Sequence, residues 1–210
     1  MGRTPSKTDE KLIKAGVTLA RKKGLSGFTV REVCAKSGVN LGMFHYYFKT
    51  KECFDQAVLK TLYRELMEEI AIEVSPDKTA RENVAYILKS INAFAQKNRI
   101  MLSALVGDVF AGNKSTLAFL TSNFTEHMSV LLQELRRAQT QGEVPRDLLF
   151  SLAVALVAPV VLPQLVLGLM SRMEGSIPQH VKTLLASAAF DHTADERIQL
   201  ALRGVFGGNQ

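Results

Sequence analysis

Residues 29 to 48 read TVREVCAKSGVNLGMFHYYF, and the spacing within that stretch decides the fold. Thr29 stands three residues before Glu32, the arrangement in which a hydroxyl caps a helix and a carboxylate reaches back to the cap N–H. Val30, Val33 and Cys34 follow at helical spacing and form an apolar face. Ser37, Gly38 and Val39 make the turn: Gly38 can take the positive φ that a Cβ would strain, while Val39 plugs back into the core. Asn40 then opens a second helix carrying Leu41, Gly42, Met43, His45, Tyr46 and Tyr47. Those are too many polar aromatic and small side chains for a face meant only to be buried, whereas Phe44 and Phe48 are core positions. Two short helices about a glycine turn have the shape that lays a second, recognition helix in a DNA major groove.

Charge is concentrated around this stretch. Residues 1 to 54 hold 11 Lys and Arg against 4 Asp and Glu, a net of +7, whereas residues 55 to 210 hold 15 against 16, a net of −1. All of the excess positive charge therefore lies beside the two helices, as contact with a polyanion requires. The first seven residues, with Arg3 and Lys7, read as a basic arm. Residues 8 to 23 read as a helix with Leu12, Gly16, Leu19 and Ala20 on one stripe, and Gly24 stops it.

The run TVREVCAKSGVNLGMFHYYFKTKECF, residues 29 to 54, resembles the DNA-binding signature of the TetR family of bacterial transcriptional repressors. The resemblance rests on the mutual spacing of Gly38-Val39, Gly42, Phe44, Tyr46-Tyr47-Phe48 and Lys49-Thr50-Lys51-Glu52, and it covers residues 8 to 55. It implies an all-α fold with a three-helix helix-turn-helix head on a larger helical-bundle body that binds an effector and forms a homodimer. The division expected is residues 1–54 for DNA binding and 55–210 for effector binding and dimerisation. Family members usually carry alanine in place of Gly16 and an aromatic in place of Ala20, so a neighbour such as Phe28 is expected to fill the space.

The side-chain chemistry of the reading head follows. Asn40 can cap the recognition helix or bond a phosphate oxygen. Leu41 and Met43 point toward the groove and can press on a thymine methyl, and Gly42 permits close approach to the backbone. Arg31 is the candidate for forked hydrogen bonds to the O6 and N7 of a guanine, with a phosphate contact as the alternative. His45 is a candidate base or phosphate donor. Tyr46 is expected to donate its hydroxyl to a phosphate, and Tyr47 to support the site. Lys51 opens the next helix, where its ammonium opposes the helix dipole; it is therefore expected to be there for phosphate binding.

Beyond Phe54 the pattern is helical throughout, roughly over 51–74, 79–98, 100–111, 115–141, 147–172, 178–190 and 194–206. The first of these is the natural lever between head and body. The 24 residues from Leu148 to Ser171 carry no charge and are long enough to cross a membrane. Pro159, Pro163 and Gln164 interrupt them and no aromatic belt flanks them, so a buried helix or a dimer interface is expected instead. A membrane-tethered or protein-binding regulator using this stretch is the rival reading. Phe94, Asp108, Phe124 and His127 are candidate effector contacts, for a small hydrophobic molecule.

Other classes find no support. No nucleophile and base pair, phosphate loop or metal spacing is visible around His45, His127, His180 and His192, so neither an enzyme nor a cofactor or metal is expected. Cys34 and Cys53 lie on apolar helix faces and read as small hydrophobes. No apolar segment of a signal peptide stands at the N-terminus, so a cytoplasmic location is expected.

Overall fold

Every regular element among the described residues is a helix, which the unbroken 3.6-residue periodicity of the sequence demands. The computed structural model describes residues 7–112, 114–172, 178–181, 183 and 193–207. The helices are α1 (Lys7–Lys23), α2 (Val30–Ser37), α3 (Leu41–Phe48), α4 (Lys51–Glu73), α5 (Ala80–Phe110), α6 (Lys114–Thr140), α7 (Leu149–Arg172) and α8 (Ala194–Phe206). The expected helix over 178–190 falls mostly outside the described residues.

The two helices expected over 79–98 and 100–111 are one rod, α5, of 31 residues. The polar run Gln96-Lys97-Asn98-Arg99 reads as a break, yet Asn98 turns its Nδ2 back to the Phe94 carbonyl at 2.8 Å and stays within the helix. The rod starts at a capping box in which Thr79 accepts from the Glu82 N–H and Glu82 accepts from the Thr79 N–H. That second bond holds the Glu82 carboxyl below its usual range.

Two hydrophobic cores lie along this rod. The body core gathers Val84, Ile87 and Leu88 of α5, Leu131 and Leu135 of α6, Leu156 and Val160 of α7, and Ile198 and Leu202 of α8. The head core gathers Leu12, Ala20, Val33, Phe44, Phe54, Val58 and Leu62, together with Met101 and Leu105 from the far half of α5. Phe94 packs against both. One helix therefore runs from the body core into the floor of the head.

Inside the head the room left by Gly16 is taken by Phe54. A Cβ there would collide with the Phe54 ring and come within 2.7 Å of Val58 Cγ2. Phe28, the expected filler, stands edge-on against Phe54 with ring centroids 6.5 Å apart. It supports the filling ring.

Helix α7 continues through both prolines. Pro163 has no N–H to give to the carbonyl of Pro159, and a bare carbonyl inside a helix is costly. Arg197 of α8 supplies the missing donor, Nε to Pro159 O at 3.1 Å. The apolar stretch is not buried all round. Leu152, Ala153, Leu156 and Val160 face the core, whereas Phe150, Val154, Leu162, Val166 and Leu169 are exposed. Residues 149–171, of mean hydropathy 2.3, are long and apolar enough to cross a membrane.

Candidate nucleic-acid interface

Local sequence builds the reading head. The Thr29 Oγ1 accepts from the Glu32 N–H at 3.2 Å, and Glu32 accepts from the Thr29 N–H at 2.7 Å, completing the expected capping box. Glu32 also pairs with Lys23 at 2.6 Å, which ties the start of α2 to the end of α1. The hydrogen bond from Lys23, followed by the two from Thr29, lowers the Glu32 carboxyl to about 2. Gly38 ends α2 at φ 67°, and the Val39 N–H returns to the Cys34 carbonyl at 3.2 Å. Burial pushes the Cys34 thiol up, away from the reactive thiolate.

Asn40 then caps α3, accepting from the Met43 N–H at 2.9 Å. The anchor of α3 is Phe44, which is fully buried, with Phe48 and Phe54 at ring-centroid distances of 5.6 and 5.1 Å. Burying residue 44 turns its helical neighbours outward. Leu41 is 43% exposed and Tyr46 60% exposed; Gly42 and His45 are also exposed, and Met43 is half-buried. Met43 thus stands lower in the surface than the others. Tyr47 is half-buried and stacks edge-on against Tyr46 at 5.2 Å, the supporting place expected of it.

His45 directs Nδ1 to the Lys49 carbonyl at 3.0 Å, closing the end of α3. With Nδ1 donating, the outward Nε2 of the neutral ring is an acceptor, and only the protonated ring offers a donor there. Lys49 itself sits at φ 59°, and its N–H bonds the His45 carbonyl at 3.1 Å.

The cations divide into two groups. Arg21, Lys23 and Lys51 are bonded within the protein. Lys7, Lys11, Lys14, Lys22, Arg31, Lys36 and Lys49 are exposed and make no ion pair among the described residues. Arg31 therefore remains available, as the sequence leads one to expect. Lys36 in the last turn of α2 and Lys49 at the end of α3 are equally available; the net charge of the segment signals such residues without singling them out.

Lys51 departs from expectation. Its Nζ donates to the Leu25 carbonyl at 2.7 Å and to both Asp55 oxygens at 2.9 and 2.8 Å, and it lies 4.3 Å from the centroid of the Phe28 ring. A lysine that opens a helix is expected to be a free cation. Instead the acid one turn on and the α1–α2 turn occupy all three of its protons. Asp55 has its carboxyl raised, first by desolvation, with Lys51 pulling the other way and Glu52 and Asp108 adding to the rise.

Two of the expected effector contacts, Asp108 and Phe94, do not lie together. Asp108 lies with Lys51 and Asp55 on a cleft of about 410 Å³ between head and body. Phe94 lies fourteen residues earlier on the same rod, about 21 Å away at 1.5 Å per residue, so one small ligand does not bridge them. The side chains of Phe124 and His127 lie outside the described residues.

Comparison with known proteins bears on this geometry. Residues 12–56 match the model of bacterial regulatory proteins of the tetR family. The head is similar to the DNA-binding part of that family. The HTH-type transcriptional regulator BetI of Brucella anthropi is 29% identical over 89 residues, 41% of this chain and 46% of that protein. The HTH-type transcriptional repressor NemR of Escherichia coli K12 is 28% identical over 122 residues, 54% of this chain and 61% of that protein. The matches therefore span only 46% and 61% of the length of these two relatives. A TetR-family transcriptional regulator from Rhodococcus sp. superposes with a TM-score of 0.75 at 18% identity, over 96% of this chain and 100% of that one. FadR from Bacillus subtilis, solved in complex with stearoyl-CoA, superposes with a TM-score of 0.71 at 14% identity, over 93% and 98%. At such identities the likeness is one of fold, and it extends over head and body alike.

Proposed function

We propose that the protein is a sequence-specific DNA-binding transcriptional regulator, a repressor whose homodimer holds a palindromic operator and releases it when a small hydrophobic effector binds. Residues 1–54 read the DNA, and residues 55–210 dimerise and bind the effector. The observation that carries the reading is α3 itself: Phe44 anchors it while Leu41, Gly42, His45 and Tyr46 are held in solvent beside an unpaired Arg31. An apolar leucine and a tyrosine kept exposed on a helix between free cations form a surface that awaits a groove.

In this reading Arg31 reads a base or grips a phosphate, Leu41 and Met43 meet thymine methyls, and Tyr46 and the donor half of the Asn40 amide bond phosphates. His45 contributes an acceptor or, when protonated, a donor. Lys36 and Lys49 take over the phosphate contact expected of Lys51. Two heads one helical turn apart, about 34–36 Å, would match a palindrome. The exposed row on α7, with Leu200 of α8, gives a second copy an apolar surface to cover. NemR is named a repressor, and the FadR structure contains a long-chain acyl-CoA; both support a repressor with an apolar effector. Phe94 remains a candidate lining residue, and Asp108, at the head junction, does not. We infer a cytoplasmic location and no catalytic activity from the same reading.

Selection from a random duplex pool across a salt series tests this. Enrichment of a palindrome with half-sites about one turn apart, still bound at physiological salt, supports it. Sequence-blind binding that collapses with salt refutes it. The exposed apolar row of α7 also suits a membrane-tethered regulator, and recovery of the intact chain as a salt-soluble dimer would remove that rival.

A further inference from the structure

We propose that Arg21 is a positioning residue that sets the angle of the DNA-reading head on the body by clamping α1 to α5 and α4 together. The inference rests on the DNA-binding reading above and concerns how that reading is regulated. Arg21 Nε donates to Asn98 Oδ1 at 2.9 Å, and Arg21 Nη2 donates to Glu65 Oε2 at 2.6 Å. Those two N–H groups form one edge of the planar guanidinium, so a single rigid fork joins the head helix α1 to two different elements. Lysine, with a point ammonium on a flexible stem, cannot hold both acceptors in that geometry.

The acceptor on α5 is itself locked. Asn98 is fully buried, and its Nδ2 is committed to the Phe94 carbonyl, which leaves Oδ1 facing Arg21. Phe94 is the side chain that touches both hydrophobic cores. Arg21 therefore grips the turn of α5 where the body core gives way to the head core. Three residues on, just past the end of α1, Gly24 lies directly on the rod: a Cβ there would stand 2.5 Å from that of Ala104. Around this seam the head has close backbone approach and apolar contact through Met101 and Leu105, the kind of packed helix contact along which small shear motions occur. The fork adds a directional contact that opposes such a slide.

A change in the body that rotates or shifts α5 near Phe94 would carry Asn98 with it. The clamp then turns α1, and with it α3, changing the distance between the two recognition helices of a dimer. Helix α4, the lever expected from the sequence, also reaches both cores, with Leu66 in the body core and Phe54, Val58 and Leu62 in the head core, and it meets the clamp through Glu65, which lies 3.9 Å from Lys97 of α5.

The test compares the wild-type protein with Arg21→Lys and Asn98→Ala on duplexes carrying two half-sites at varied spacing, with a single half-site as control. Amide hydrogen exchange is followed in parallel on the free proteins. The wild type should prefer one spacing. Both variants should flatten that preference by about tenfold while single half-site affinity stays within about twofold, and exchange should quicken locally in 18–24, 62–68 and 98–105. An unchanged spacing preference in Arg21→Lys overturns the proposal. So does parallel loss on the single half-site, which would make Arg21 a DNA contact or a residue the head needs to fold. If the wild type selects no palindrome, the DNA-binding reading fails. The exchange data then decide the clamp alone: local quickening at the three segments upholds it, and its absence sinks it.

Discussion

Replacing Lys51 by alanine separates two accounts of the helix that follows the reading head. The structure places its ammonium against the Leu25 carbonyl and Asp55, with both charged side chains about three-quarters buried. Losing a charged hydrogen bond in such a place costs about 1.5–3 kcal/mol, and losing the contact with the Phe28 ring costs about 0.5–1 kcal/mol. A loss near 3 kcal/mol lowers the melting temperature by about 6–12 °C for a chain of this size. The pH dependence follows from Asp55. Its carboxyl is already raised by burial, and Lys51 is what pulls it down. A carboxyl raised in the folded state favours folding at low pH, and that contribution is lost as pH rises through the folded value. Removing Lys51 raises it further, so the deficit of Lys51→Ala should be largest near neutral pH and shrink toward pH 4 to 5. Adding Asp55→Asn should recover much of the loss at pH 7. Thermal melts across pH measure this, and DNA titrations across salt complete it. Because the ammonium is spent internally, the salt slope should not change, whereas a phosphate contact contributes about 0.9 to it. A slope reduced by about 1 with an unmoved melting temperature would refute the reasoning and return Lys51 to the DNA.

Other expectations are more local. A Cβ on Gly42 meets only Asn40 Oδ1 at 3.4 Å, so Gly42→Ala should keep or raise thermal stability by up to about 1 kcal/mol while weakening operator binding at least tenfold; a fall in stability with affinity intact would show that the glycine serves the fold. Arg31→Ala should cost about 1–3 kcal/mol of affinity and relax preference at one base pair, and equal losses on cognate and random DNA would make Arg31 a phosphate ligand. Leu162 stands 57% exposed on α7, so Leu162→Asp should yield a folded monomer by analytical ultracentrifugation, and an unaltered dimer would place the interface elsewhere. Thr29→Ala should destabilise the head by about 1 kcal/mol. Because the Glu32 carboxyl is lowered to about 2, the stability it adds is complete above its ordinary value and disappears as pH falls toward 2. A wild-type acid-unfolding curve identical to that of Glu32→Gln would contradict that assignment.

Short-range signals made the head legible from the amino-acid sequence. Thr29 and Glu32, Gly38, and Asn40 each act within three or four residues of their partners, and the caps and turn they announce are the ones found. Buried Phe44 and exposed Leu41 and Tyr46 follow from the same periodicity. The long helices were equally readable, apart from the break wrongly expected near Asn98, where a side chain bonds its own helix four residues back and its polarity looks like a turn.

Contacts across long separations were not legible. Nothing near Lys51 in the sequence says that Leu25, 26 residues away, offers its carbonyl, so the dipole argument mistook a tether for a free cation. Pro163 reads as a helix breaker until Arg197, from another helix, answers the carbonyl it orphans. Arg21 counts as one of the 11 basic residues of segment 1–54 until Asn98, 77 positions on, takes its Nε–H. Local propensity and periodicity act along the chain and determined the helices, the caps and the outward face of α3. Which charges were free to meet DNA, and how the head was seated on the body, depended on partners that only folding brought together.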